Sequence, residues 1–168
     1  MNLNEKERAH YDWQRKTYFE SVGKFVSEIS LLEGFMMDIL SIYFTRDKRK
    51  REDLFNYVLA DTSIKVVSEI FNELIKNEFQ DFYLENRGYL DQIPKFIKRR
   101  NLICHSHFHA DENFIRLYDT KKVLIRDIRR FKTSKEFIKH LSLKEQDKYI
   151  EDLASLNSLV NEFRKKIK

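Results

Sequence analysis

The scarcity of residues that end helices is the feature that most constrains how this chain can fold. The 168 residues include three glycines and one proline, the two residue types on which tight turns depend most. A chain with so little turn chemistry favours long helices with few connections. We therefore predict a mainly all-α fold in a single domain over residues 1–168, which is long enough to bury a core without disulfides.

Apolar residues with a helical period define the first predicted helix. They recur from about Glu5 to Phe44 with the spacing that gives a helix one apolar face. A straight helix of this length would span about 60 Å, which is long for so small a domain. We therefore expect a bend or break near Gly23 or Gly34, or a protruding N-terminus.

The next helices are predicted from capping residues and apolar patterns. A charged connector over 45–51 leads to a short helix over about 52–59. The carboxyl and hydroxyl side chains at 61–63 can cap a third helix, and Gly88 is the residue type that most often ends one. The following helix begins just after Gly88 and tolerates Pro94 in its first turn.

The C-terminal third changes from a helical pattern to a strand pattern and back. Phe114–Tyr118 and Val123–Ile128 are rich in β-branched and aromatic residues, which predicts a small basic β-hairpin. Ser142 and Glu145 have the spacing of a capping box that starts the last helix. The predicted architecture is a bundle of about four to five helices with this hairpin inserted before the C-terminal helix.

Charge and cysteine content narrow the class of protein. The formal net charge of +5 is a mild excess, but the segment 113–139 has nine basic residues against three acidic ones and could attract a polyanion such as RNA. A single cysteine excludes an intrachain disulfide and favours a reducing cytoplasm. No segment approaches the roughly 18 apolar residues of a membrane span, and the N-terminus has no signal-peptide core, so we expect no membrane partner.

The segment Lys98–His109 concentrates the reactive side chains. It holds three of the five histidines, the only cysteine and three consecutive cations. Read as a continuation of the preceding helical pattern, it places Arg100 inside an apolar arc, where a guanidinium is costly to bury without an anion, a cleft or a partner subunit. Asn101 and His105 project together from the edge of this arc. Cys104 is expected to be a small buried hydrophobe in an arc that comprises Leu90, Ile93, Ile97, Cys104 and Phe108.

Arg100, Asn101 and His105 form the pattern Arg-Asn-x-x-x-His. In its helical setting this pattern resembles the motif of the HEPN superfamily (higher eukaryotes and prokaryotes nucleotide-binding domains). The members it looks most like are small all-α proteins of bacterial defence and toxin systems. The resemblance covers most of the chain in outline, from the long first helix to the closing amphipathic helix, and is specific only around the motif.

The resemblance implies metal-independent cleavage of single-stranded RNA at a site shared by the two protomers of a homodimer. Arg100 would bind phosphate and stabilise charge in the transition state, His105 would be the general acid or base, and Asn101 would orient the imidazole or the substrate. The chemistry suits these side chains, because attack by a ribose 2′-hydroxyl needs a group that titrates near neutral pH and a fixed cation. No metal or other cofactor is expected, and a cognate antitoxin or defence-system protein is a further implied partner.

Cations and histidines near the motif are candidates for RNA binding, because contacts to phosphates position a nucleic acid without reading its sequence. The basic hairpin would guide the RNA backbone toward the motif, with cations and rings sharing one side of a strand. The predicted RNA-binding residues are Lys98, Arg99, His107, His109, Arg116, Lys121, Lys122 and Arg126.

Each motif residue also has a structural interpretation. Arg100 could pair with a carboxylate such as Glu33, His105 could bond a backbone carbonyl, and Asn101 could be an ordinary surface residue. The main alternative function is a catalytically silent module of the same fold that binds RNA, nucleotide or protein, and a structural subunit of a larger assembly is another. A zinc or other transition-metal site built from residues 104–109 is disfavoured, since too few ligands converge to complete four.

Overall fold

Helices dominate the computed structural model, which describes residues 3–108, 122–127 and 138–167. This confirms the predicted, mainly all-α class. The helical elements are α1 Glu5–Phe44, α2 Lys48–Asp53, a π-helical segment Leu54–Leu59, α3 Ile64–Glu78, α4 Gln80–Leu90, α5 Ile93–Cys104 and α6 Leu143–Lys166. The strands are β1 Ser106–Phe108, β2 Lys122–Asp127 and β3 Ile138–Ser142.

Helix α1 has the predicted bounds and shows no break, while the other two expectations, a bend or a protruding N-terminus, stay predictions. It is one helix from Glu5 to Phe44, and neither Gly23 nor Gly34 has a positive φ. The expectation of an interruption assumed that the whole helix packs in one compact group. Contacts instead divide the described chain into two compact units, one within 1–26 and 99–150 and the other within 27–98 and 151–168. Helix α1 therefore contributes a different part to each unit, and the single-domain prediction stays a prediction.

The second unit is built on the apolar faces of α1, α3 and α6. Phe163 of α6 stacks on Phe82 with ring centroids 4.1 Å apart and meets Phe79 edge-on at 4.9 Å. Two predicted core residues are exposed instead, Tyr43 by 41% and Ile70 by 38%. Ile70 lies at the edge of the buried face of α3, which is formed by Ile64, Val67, Phe71, Leu74 and Ile75.

Helix boundaries in this unit follow side-chain caps. The predicted cap at Ser63 is confirmed, because its hydroxyl accepts from the Val66 amide at 3.5 Å. Asp47 caps α2 in the same way, so this helix begins earlier than predicted. The prediction that Gly88 ends a helix is wrong: it lies inside α4 without a positive φ, and the chain breaks at Phe79, where φ is −132°.

The first unit contains a small antiparallel sheet in the order β1-β2-β3. Tyr18, Ile125 and Leu143 form its buried cluster, and Leu102 and Phe108 pack against them. One of the two hydrogen bonds of the predicted capping box is confirmed, because the Glu145 amide donates to the Ser142 hydroxyl at 3.3 Å.

Strand β2 covers most of the second strand of the predicted hairpin. The first strand, Phe114–Tyr118, lies outside the described residues, so the hairpin itself stays a prediction. Strands β1 and β3, which flank β2, were not predicted. Within the described segments no helix combines the length and the apolar composition needed to cross a bilayer.

Candidate functional site

The motif lies where α5 ends. Arg100 and Asn101 lie near the C-terminal end of this helix, both half-buried, and Arg100 Nη1 donates to Asn101 Oδ1 at 3.2 Å. His105 is exposed and directly follows the last helical residue. The structure therefore places the predicted cation and amide in one hydrogen-bonded pair. The imidazole of His105 is exposed to solvent and follows this pair in the sequence.

The end of α5 is fixed by side chains from outside the motif. The Ser106 hydroxyl donates to the Leu102 carbonyl at 2.7 Å, which satisfies one of the carbonyls that a helix end leaves free. Tyr18 of α1 donates to the Ser106 carbonyl at 3.5 Å, and its ring lies 5.8 Å from that of Phe108. Burial raises the pKa of Tyr18, with a further contribution from Cys104, so the phenol stays protonated as a donor.

These contacts correct the prediction that one helix carries the whole motif. Because the chain enters β1 at Ser106, the helical arc does not extend to Phe108, and His105 lies just beyond the helix that carries Asn101. Cys104, predicted to be buried, is exposed. Ile103 is buried in its place, with 1% exposure, since its larger apolar side chain gains more from leaving water.

Arg99, which precedes the motif, contacts side chains of another helix. Its Nε donates to Gln146 Oε1 at 2.9 Å, and its guanidinium carbon lies 4.9 Å from the ring centroid of Tyr149. Burial lowers the pKa of Arg99, while Glu145 and Tyr149 raise it. Gln146 is completely buried. Arg99 thus attaches the C-terminal half of α5 to α6. Its Nη2 and Gln146 Nε2 are buried donors without a hydrogen-bond partner among the described residues.

The other predicted RNA-binding residues are placed only in part. Lys98 is exposed on α5. His107 of β1 and Arg126 of β2 are partners in the sheet register, so their backbones are adjacent, and Lys122 begins β2. His109, Arg116 and Lys121 lie outside the described residues.

The helical geometry assumed for the metal alternative is not found. This alternative assumed that the histidines and cysteine of residues 104–109 follow one helix, whereas Ser106–Phe108 is a strand. Among the residues with described positions, no three side chains of His, Cys, Asp or Glu are grouped closely enough to hold a metal ion.

Three supporting residues were missed by the sequence analysis. Beside the motif, Ser106 is contacted by Tyr18 of α1. Arg99 is contacted by Gln146 and Tyr149 of α6, and Gln146 is 47 positions away from Arg99. No local pattern signals a contact over such a separation. The capping box beside Gln146 predicted where α6 begins but not which helix it would meet.

Chemically, the arrangement offers an accessible cation paired with an amide, followed by an exposed imidazole. Within the described chain, no hydrogen bond or ion pair joins His105 to Arg100 or Asn101.

Comparison with models of protein families, with curated proteins and with solved structures finds no match to this chain.

Proposed function

We propose that this protein is a metal-independent endoribonuclease that cleaves single-stranded RNA. The observation that carries the proposal is the Arg100–Asn101 pair, hydrogen-bonded at 3.2 Å on a helix end with exposed His105 directly after it. A fixed guanidinium can bind a phosphate, and an imidazole can transfer protons near neutral pH. The resemblance of Arg-Asn-x-x-x-His to the HEPN motif supports the same conclusion.

The proposed reaction is internal transesterification. The ribose 2′-hydroxyl loses its proton, its oxygen bonds to phosphorus, and the bond from phosphorus to the 5′-oxygen breaks as that oxygen gains a proton. The products are a 2′,3′-cyclic phosphate and a free 5′-hydroxyl. His105 carries out one of these two proton transfers, and Arg100 binds the non-bridging oxygens, where negative charge increases in the transition state. Asn101 orients Arg100 through their hydrogen bond.

A second copy of the chain completes the proposed site. In one chain, His105 makes no hydrogen bond to Arg100 or Asn101 among the described contacts, so an acid–base group and a phosphate-binding group are not yet joined. A two-fold axis near the end of α5 would bring His105 of one protomer toward Arg100 of the other, because a symmetric interface repeats every contact. We therefore propose a homodimer with two composite sites.

The surrounding residues take supporting roles in this proposal. Arg99 holds the C-terminal half of α5 through Gln146 and Tyr149, so that Arg100 stays available. Lys98 and the basic residues of 113–139 bind RNA phosphates. A defence or toxin–antitoxin system, with a cognate partner protein, is the proposed setting. The single, exposed cysteine is in keeping with a reducing cytoplasm.

The test is cleavage of an unstructured, end-labelled RNA in the presence of EDTA. The parent protein should produce fragments with cyclic-phosphate ends, and Arg100→Ala and His105→Ala should each lose cleavage by about 100-fold or more. Lys95→Ala is the matched control, because it removes an exposed cation from the same helix outside the motif. Cleavage that requires added metal, or that survives in His105→Ala, would contradict the proposal.

One observation favours a second candidate, a silent module that binds RNA, nucleotide or protein without cleaving. The described chain leaves His105 without a hydrogen bond to Arg100, as a binding surface without catalysis would. The same RNA distinguishes the two, since a module would retain it in a mobility-shift assay without producing fragments. Binding that depends on Arg100 but not on His105 would identify the module.

A further inference from the structure

A cavity in the second unit is separate from the motif. It has a volume of about 400 Å³, within the range of small-molecule sites. Its lining comes from the C-terminal part of α1, from α2 and from the π-helical segment: Asp38, Ser41, Lys48, Arg51, Glu52, Phe55 and Asn56. We infer that this cavity binds a small phosphate monoester that carries a planar ring.

The charges of the lining favour an anion. The Asp38 carboxylate is already paired, since its Oδ2 lies 3.1 Å from Arg164 Nη1 and both side chains are 24% exposed. This leaves Lys48 and Arg51 against the single acid Glu52. Lys48 and Arg51 are three positions apart in α2, so they lie on neighbouring positions of one helix face. Two adjacent cations suit a phosphate monoester, which carries nearly two negative charges at pH 7.

Arg51 has a donor that no described residue uses. Its Nε is buried and has no hydrogen-bond partner in the described part of the chain, although buried polar groups in proteins nearly always have one. A phosphate oxygen in the cavity would accept from this N–H group in a charge-assisted bond, with Lys48 as a second cation.

The π-helical segment supplies the part of the site that would hold a ring. It follows α2 directly at Leu54 and presents Phe55 and Asn56 to the cavity. Such segments are rare and occur often at functional sites. Phe55 is half-buried and offers a face for stacking, while Asn56 and Ser41 offer polar groups to ring substituents.

The test uses AMP and phenyl phosphate as probes, with adenosine and inorganic phosphate as the half-ligands. Both probes should raise the melting temperature of the full chain and bind in calorimetry, and each half-ligand should bind at least about tenfold more weakly. Tight binding of adenosine alone would overturn the anion site. Equal binding of inorganic phosphate and AMP would overturn the ring site.

The variants localise the binding. Arg51→Ala should weaken both probes by about tenfold or more, and Arg51→Lys, which keeps the charge but loses the Nε donor, should fall between it and the parent. Arg49→Ala is the matched control, because Arg49 is exposed on the same helix outside the cavity. Urea midpoints equal to that of the parent would show that the variants fold. Failure of both probes to bind at millimolar concentration, or equal binding by Arg51→Ala and the parent, would overturn the inference.

Discussion

Two regions of this protein use a pair of arginines in the same way. Near the end of α5, Arg99 is bonded to Gln146 and lies against Tyr149, while its neighbour Arg100 is bonded, among the residues with described positions, to Asn101 alone. At the cavity of the second unit, Arg164 Nη1 donates to Asp38 Oδ2 at 3.1 Å and its guanidinium lies over Phe35 at 4.9 Å. Among the described residues the Nε groups of both Arg51 and Arg164 are buried donors without a hydrogen-bond partner, so what separates Arg164 is its ion pair and ring contact. In each region one arginine is held by the protein and the other is available.

The difference between the two members of each pair is what sequence alone does not show. Both are cations in helices, but in the described chain the held arginine lies against an aromatic ring as well as an acceptor from another helix. We expect held arginines to matter for stability and available ones for binding or catalysis. A variant that affects both properties equally would break this distinction.

The largest expected effect is on cleavage by the available arginine of the motif. Arg100→Ala should reduce single-turnover RNA cleavage by about 100-fold or more, because it removes a fixed charge from the transition state. Its urea unfolding midpoint should change little, since its one bond is to a half-buried neighbour. Arg100→Ala that unfolds at markedly lower urea while cleaving normally would assign Arg100 to the structure.

The held arginines should show the opposite behaviour. Arg99→Ala should lower the free energy of unfolding by about 1 to 3 kcal/mol, because it leaves the buried Gln146 carbonyl without its donor. Arg164→Ala should lower the free energy of unfolding by about 2 kcal/mol, because it removes the half-buried cation 3.1 Å from Asp38. Lys98→Ala and Arg49→Ala, both at exposed positions, are the controls and should stay within about 0.5 kcal/mol of the parent in urea denaturation. Equal stability of Arg99→Ala and Lys98→Ala would show that Arg99 is not an anchor.

The smallest effect should come from an arginine on the open surface of α4. Arg87 lies 3.2 Å from Asp91, with both side chains largely exposed, and the hydrogen bond from Tyr83, with a smaller contribution from Arg87, lowers the pKa of Asp91. A lowered carboxyl pKa stabilises the fold above the unfolded value of about 3.9, and this stabilisation is lost as the pH falls through the folded pKa. Arg87→Ala should therefore lower the free energy of unfolding at pH 7 by less than either held-arginine variant does, and should have no measurable effect near pH 2. A loss as large as that of Arg99→Ala would remove the distinction between held and exposed arginines.

Much of the helical fold follows from local sequence signals. The apolar period of α1 predicted its bounds, and Ser63 and Ser142 predicted helix starts, because caps and periodicity act over a few residues. The prediction that Gly88 ends a helix was wrong because glycine is also permitted inside a helix. Whether a glycine takes the positive φ that ends a helix depends on how the chain continues.

The candidate site was predictable only in its residue types. Arg100, Asn101 and His105 stand out in sequence, but the helix end at Cys104 depends on Ser106 and on Tyr18, which is 88 positions away from Ser106. The same holds for Arg99, whose partner Gln146 comes from the last helix. Contacts between distant segments decide which cation is held, and a local pattern does not contain them.

The composite site is tested most directly by mixing inactive subunits. Arg100→Ala and His105→Ala proteins, combined in equal amounts and allowed to exchange subunits, form mixed dimers in about half of the molecules, each with one intact pair of Arg100 and His105. RNA cleavage in EDTA should return to about a quarter of the parent rate, while either variant alone stays inactive. A mixture no more active than the separate variants, once mass measurement confirms that mixed dimers are present, would contradict a site shared between two chains.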